Sequence, residues 1–144
     1  MFSKSCEYGL RATIFIGQQS HLGTKVSLTT ISEAIDSPQA FTAKILQQLT
    51  KNNIVNSIKG PHGGFFIETE AMKTLNLSAI VEVLDGDSIY TGCGLGLKQC
   101  NDKKPCPLHF KFVAIREELK NMLQNTTLLM LVNDMELDIF HLKT

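Results

Sequence analysis

The chain has 144 residues, and its 14 Lys+Arg against 14 Asp+Glu leave no net field to announce a nucleic acid or a membrane surface. A hydrophobic fraction of 43% argues against disorder over any large part of a chain long enough for one domain with an appended helix, and no apolar run is long enough to span a bilayer. The first residues, MFSKSCEYGLRA, lack the apolar core of a signal peptide, so the expectation is a cytoplasmic protein with no membrane partner, whose four cysteines stay reduced and point to metal or redox chemistry before disulfides.

From Ser3 to Gln19 the apolar residues Tyr8, Leu10, Ala12, Ile14, Phe15 and Ile16 are denser than a surface stripe and predict a largely buried first helix, broken at His21-Leu22-Gly23. A second helix of about two turns follows, capped by Ser27 or Thr29 and carrying Ile31, Ala34 and Ile35. Asp36-Ser37-Pro38 then reads as a helix start with the proline at the first helical position. The third helix runs to about Lys51, with Phe41, Ile45, Leu46 and Leu49 as its core stripe and Gln39, Thr42 and Ala43 towards the opposite side. Two short helices joined by a tight turn, the second with a polar N-terminal face, make a candidate helix-turn-helix, although most helix pairs are only packing.

Two strand-like runs, Ile54–Ile58 and Phe65–Glu68, flank Lys59-Gly60-Pro61-His62-Gly63-Gly64, which predicts a hairpin wing. A nucleotide-binding loop is the competing reading, but it needs a helix where the second strand stands. Lys59 and His62 at the tip are candidates for a phosphate or a minor groove, with plain solvation as the alternative.

A further helix from about Leu75 carries Ile80, Val81, Val83 and Leu84, ends at Asp85-Gly86-Asp87, and leads into the stretch GCGLGLKQCNDKKPCPLH from Gly92 to His109. This stretch holds three of the four cysteines and one of the four histidines. Thiolates and imidazole suit zinc and iron, so Cys93, Cys100, Cys106 and His109 are candidate metal ligands. An iron-sulfur cluster leads over zinc, because the short cysteine knuckle of structural zinc sites is missing; spare thiols in a surface loop and a disulfide are the remaining alternatives. Leu95, Leu97 and Leu108 are expected to shield such a site from water. The fourth cysteine, Cys6, reads as a small buried hydrophobe, and His21 and His141 as surface residues.

Beyond the loop Pro107 reads as a first helical residue, and Leu108, Phe112, Ile115, Leu119 and Met122 repeat at four and three spacings. Such a seam suits a dimer helix packed on a domain. Lys111, Arg116, Glu117, Glu118 and Lys120 fill its other faces as a solvated surface, and a terminal helix follows Asn125-Thr126-Thr127.

Taken together, Tyr8-Gly9-Leu10-Arg11-Ala12, the helix Phe41–Leu46, the wing Ser57–Phe65 and the triple-cysteine loop ending Cys106-Pro107-Leu108-His109 resemble the IscR/NsrR type of bacterial winged-helix regulators, over nearly the whole chain. The resemblance implies a homodimeric transcription factor that binds double-stranded DNA and carries an iron-sulfur cluster on Cys93, Cys100 and Cys106. It offers two fourth ligands: His109, matching the histidine of the iron-sulfur biogenesis regulator, and Glu7, falling where nitric-oxide-sensing members place an acidic ligand from the partner subunit. Six residues separate Cys93 from Cys100 and five separate Cys100 from Cys106, the first spacing one longer than the family pattern, which leaves 2Fe–2S and 4Fe–4S both open.

The expected fold class is mainly α with a small β hairpin: a winged helix-turn-helix over residues 1–87, a cysteine-rich cluster loop over 88–109, and a dimerisation helix with a C-terminal tail over 107–144. DNA contacts are expected from Ser37, Gln39, Thr42, Lys44, Lys59 and His62. The alternative is a small iron-sulfur or zinc protein acting by electron transfer or partner docking. No nucleophile–base pair, nucleotide loop or carboxylate cleft suggests an enzyme.

Overall fold

The computed structural model describes residues 1–144 and is mainly helical with one two-stranded antiparallel hairpin, the winged helix-turn-helix class expected from the sequence. Helix α1 (Lys4–His21) is the hub, packing against α2 (Leu28–Ile35), α3 (Gln39–Lys51), α5 (Leu77–Asp85) and α8 (Leu128–Met135). Its apolar density explains this: Ala12, Ile16 and Cys6 are fully buried. Ser3 caps the helix, its Oγ accepting from the Cys6 N–H at 3.0 Å while its own N–H donates to the Asp85 carboxylate at 2.9 Å. The cap therefore also ties α1 to the end of α5.

Burial, with the Asp85 carboxylate adding to it, pushes the Cys6 thiol up to about 12. In the unfolded chain the same thiol ionises near 9.0, so between these values the unfolded state holds fewer protons than the native state. Cys6 is thus expected to cost stability as pH rises from about 9 towards 12, and nothing below that window. Urea midpoints across this range should fall more steeply for the native sequence than for Cys6→Ala, and parallel curves would contradict the assignment.

Helix α2 begins at Ser27, whose Oγ accepts from the Thr30 N–H at 3.2 Å, and ends on Asp36 at φ 51°, a left-handed conformation that Asp tolerates. The turn into α3 follows at once. Pro38 occupies the N-cap position rather than the first helical one, because its ψ of 128° is extended, and α3 starts at Gln39. Ile45, Leu46 and Leu49 seat α3 in the core, and half-buried Phe41 meets Tyr8 edge to face at 5.7 Å.

Strands β1 (Asn56–Ile58) and β2 (Gly64–Phe66) pair in the register Asn56↔Phe66, Ser57↔Phe65 and Ile58↔Gly64. Val26 adds a single bridge to Phe65, with hydrogen bonds of 3.1 and 2.7 Å in the two directions. Gly63 is dictated by close approach: a Cβ there would lie 2.0 Å from the Ile58 carbonyl oxygen, a backbone atom that cannot yield.

Two single-turn helices, α4 (Thr69–Met72) and α6 (Ser88–Thr91), lie beyond what periodicity foretells. Helix α7 (His109–Asn125) starts two residues later than Pro107, because the His109 N–H closes a tight turn onto the Cys106 carbonyl at 3.0 Å. Most of α7 stands off the body, leaving Ile115 and Met122 55% and 47% exposed. Of the 107–144 segment, α8 returns to the body. Leu128 and Val132 pack against the bare face of Gly17, and the Leu128 N–H donates to the Leu75 carbonyl at 2.8 Å. His21 is held by Glu136 on this side, at 3.3 Å, while His141 is exposed as expected. No helix is long and apolar enough to cross a membrane.

Candidate DNA interface and cysteine centre

The exposed side of α3 is shorter in candidates than the sequence suggests. Gln39 and Lys44 are exposed, and Gln39 Nε2 donates to Thr29 Oγ1 at 3.1 Å, linking the starts of the two helices. Thr42 must be corrected as a base contact. Its side chain is fully buried, donating to the Pro38 carbonyl at 2.9 Å and meeting Ser37 Oγ at 2.5 Å. A hydroxyl that satisfies itself on the carbonyl four residues back faces inward at no polar cost. Ser37 is half-buried by the same contact, and its role is to brace the turn. Gln47, exposed beside Ala43 and the wing strands, lines a hollow of about 450 Å³ with Thr50, Lys51, Ser57 and Phe65. The i, i+4, i+8 row Gln39, Ala43, Gln47 carries this face and was extractable from the sequence by following the first two one turn further. Lys59 and His62 are exposed at the wing tip.

The cysteine loop is built against α7. A Cβ on Gly94 would lie 2.4 Å from the Phe112 ring, so the glycine lets the loop backbone cover that seam residue. All three loop cysteines are free and half-buried. The donors come in two pairs. Cys100 Sγ lies 3.2 Å from His109 Nδ1, and the Cys93 thiol is pulled below the ordinary range by the backbone N–H groups of Leu95 and Leu97, with Cys106 contributing. These N–H groups favour the Cys93 thiolate, and Cys93, Leu97, Cys100 and Asp102 line one open hollow of about 700 Å³.

His109 is only 3% exposed, and its Nε2 meets Asp102 Oδ1 at 2.8 Å. Arg116, read from the sequence as a solvated face, instead reaches back to the loop: Nη2 donates to Cys100 Sγ at 3.3 Å and Nη1 to the Gly92 carbonyl. Cys100, His109 and Asp102 thus form a thiol–imidazole–carboxylate line that the sequence did not reveal. Leu97 lines the open hollow with Cys93 and Cys100 while remaining 55% exposed, Leu95 is 51% exposed, and Leu108 is half-buried.

Three thiols and an imidazole have the chemistry a metal or an iron-sulfur cluster requires. No three His, Cys, Asp or Glu side chains stand close enough together to hold a metal ion, so the two pairs would have to draw in. Glu7 spends its carboxylate on Lys4 at 2.9 Å and makes no hydrogen bond or ion pair to the loop of its own chain.

The Rrf2 family, described as an iron-dependent transcriptional regulator, matches residues 2–134. The IscR regulator of Klebsiella pneumoniae is 30% identical over 131 residues, 90% of this chain and 78% of that protein; IscR of Erwinia tasmaniensis is 28% identical over 130 residues, again 90% of this chain and 77% of that protein. Among solved structures, the global cysteine regulator CymR of B. subtilis superposes with a TM-score of 0.75 over 92% of this chain and 96% of its own, at 24% identity. IscR of T. potens gives a TM-score of 0.74 over 97% and 91%, at 21% identity, and at these identities both speak for the fold. The helix-turn-helix, the wing and the family match agree: the chain belongs to the Rrf2 family of DNA-binding transcriptional regulators, which are not enzymes.

Proposed function

We propose that this regulator works as a homodimer and senses iron-sulfur, redox or nitric oxide status through an iron-sulfur cluster held by Cys93, Cys100, Cys106 and His109. The observation that carries this reading is the gathering of three free thiols and a buried imidazole in one loop at the head of α7, with Cys100 already against His109 Nδ1. When bound, a cluster supplies iron that exchanges electrons or reacts with nitric oxide. The chain's part is to hold it in the loop and to relay the loop's shape. Gly94 over Phe112, and Arg116 on Gly92 and Cys100, fasten that loop to α7, and exposed Ile115 and Met122 on α7 suit a second copy. His109 is favoured over Glu7 as fourth ligand because it already touches a cysteine, whereas Glu7 is engaged by Lys4.

For DNA, Gln39, Lys44 and Gln47 on α3 supply groove contacts, and Lys59 and His62 on the wing supply phosphate or minor-groove contacts. With six Lys+Arg against five Asp+Glu in the first 70 residues, affinity depends on pairing two half-sites more than on a global field. Gly63→Ala forces the wing open against the Ile58 carbonyl and is expected to lower affinity for a promoter fragment on the order of tenfold with helix content unchanged. Fluorescence anisotropy with circular dichroism checks it.

The cluster is tested by iron, sulfide and absorption analysis of anaerobically isolated protein. Stoichiometric iron and sulfide with visible bands is the expected result. Colourless protein, or zinc without sulfide, contradicts it.

A further inference from the structure

The contacts of Asp102 and Arg116 belong to neither the loop's ligand set nor the DNA face, yet both end on a ligand. His109 is 3% exposed, and both of its ring nitrogens have a partner. Nε2 faces Asp102 Oδ1 at 2.8 Å, and a carboxylate only accepts, so this nitrogen is the donor. The other ring nitrogen, Nδ1, is the one turned to Cys100 Sγ, at 3.2 Å. On the other side of the same sulfur, Arg116 Nη2 donates at 3.3 Å, while Nη1 pins the Gly92 carbonyl next to Cys93. Arg116 comes from α7, one turn beyond Phe112, on which Gly94 rests. The contacts thus run in a line from the Arg116 guanidinium through the Cys100 sulfur and the His109 ring to the Asp102 carboxylate.

A histidine that binds a metal donates its other ring nitrogen to an oxygen acceptor, which fixes the tautomer and raises its basicity, and a positive N–H donor to a ligand sulfur stabilises the thiolate. The geometry points to Asp102 and Arg116 as the positioning residues of the metal site: Asp102 acts through His109 and selects Nδ1 as the ligating atom, and Arg116 acts through Cys100 and couples the loop to α7. This rests on the metal-binding reading of the loop above, though not on the metal's being a cluster.

The test is anaerobic titration of the reduced, full-length, metal-free protein with Co(II), read by thiolate-to-metal charge-transfer absorption and competition with a chelator. Asp102→Asn and Arg116→Ala should each weaken Co(II) binding about ten- to a hundredfold. Asp102→Glu and Arg116→Lys should recover part of it. Asp102→Asn should add nothing to His109→Ala, and Arg116→Ala nothing to Cys100→Ser, whereas a merely structural role would persist in those backgrounds. Binding within twofold of the native protein, losses undiminished in the paired backgrounds, or no Co(II) uptake at all overturns the inference. Native protein without iron or sulfide, combined with the predicted Co(II) pattern, overturns the cluster alone and supports the positioning roles.

Discussion

Replacing Ile115 and Met122 together by Glu is expected to convert the protein to a monomer and to lower its affinity for a two-half-site operator on the order of a hundredfold or more. Both side chains are large, apolar and about half exposed on a helix whose only fully buried aliphatic is Leu123. Burying each against a second copy is worth about 2 kcal/mol, and two carboxylates in its place would be desolvated without partners. Because both side chains are about half exposed and lie outside the buried core, the body should remain folded. Sedimentation velocity gives the assembly state and anisotropy the affinity; a variant that stays dimeric, or one that is monomeric yet binds the full operator normally, contradicts the role given to α7.

The second large effect is on metal content. Cys93→Ala, Cys100→Ala and Cys106→Ala are each expected to reduce iron and sulfide from stoichiometric to near zero, while Cys6→Ala leaves both unchanged. The contrast follows from environment. Cys6 is fully buried in the core with its thiol pushed up to about 12, so it cannot offer a thiolate, whereas the loop cysteines are half-buried, and Cys93 is pulled the other way by backbone N–H groups. Iodoacetamide labelling of the metal-free protein followed by mass spectrometry should accordingly modify Cys93 readily and Cys6 only on unfolding. Retention of iron by a loop variant, or its loss from Cys6→Ala, would reverse the assignment.

The parts of the fold that sequence made legible are those where one local signal sufficed. Apolar spacing located α1, α2 and α3, Ser27 marked a helix start, and the glycines between two short apolar runs marked the wing. Thr42 misleads because a polar side chain at that position reads as exposed, while its hydroxyl is satisfied on the Pro38 carbonyl. Single-turn α4 and α6 are too short to show a period, and the return of α8 depends on Gly17 presenting a bare patch to Leu128 and Val132, a tertiary match that neither segment declares alone. At the cysteine centre the donor types were readable from composition and spacing. Their pairing, and the reach of Arg116 and Asp102 into them, were not, since both depend on the path of an irregular loop over Phe112.

A regulator that senses through this loop must bind DNA with different affinity in its two states, because a ligand that favours neither state shifts nothing. The most direct measurement is anisotropy titration of one promoter fragment, at fixed salt, with the same preparation before and after anaerobic removal of its iron. The two dissociation constants should differ by at least about tenfold, or 1.4 kcal/mol of coupling. Equal constants in the two states, with iron and sulfide verified present and then absent, would contradict it.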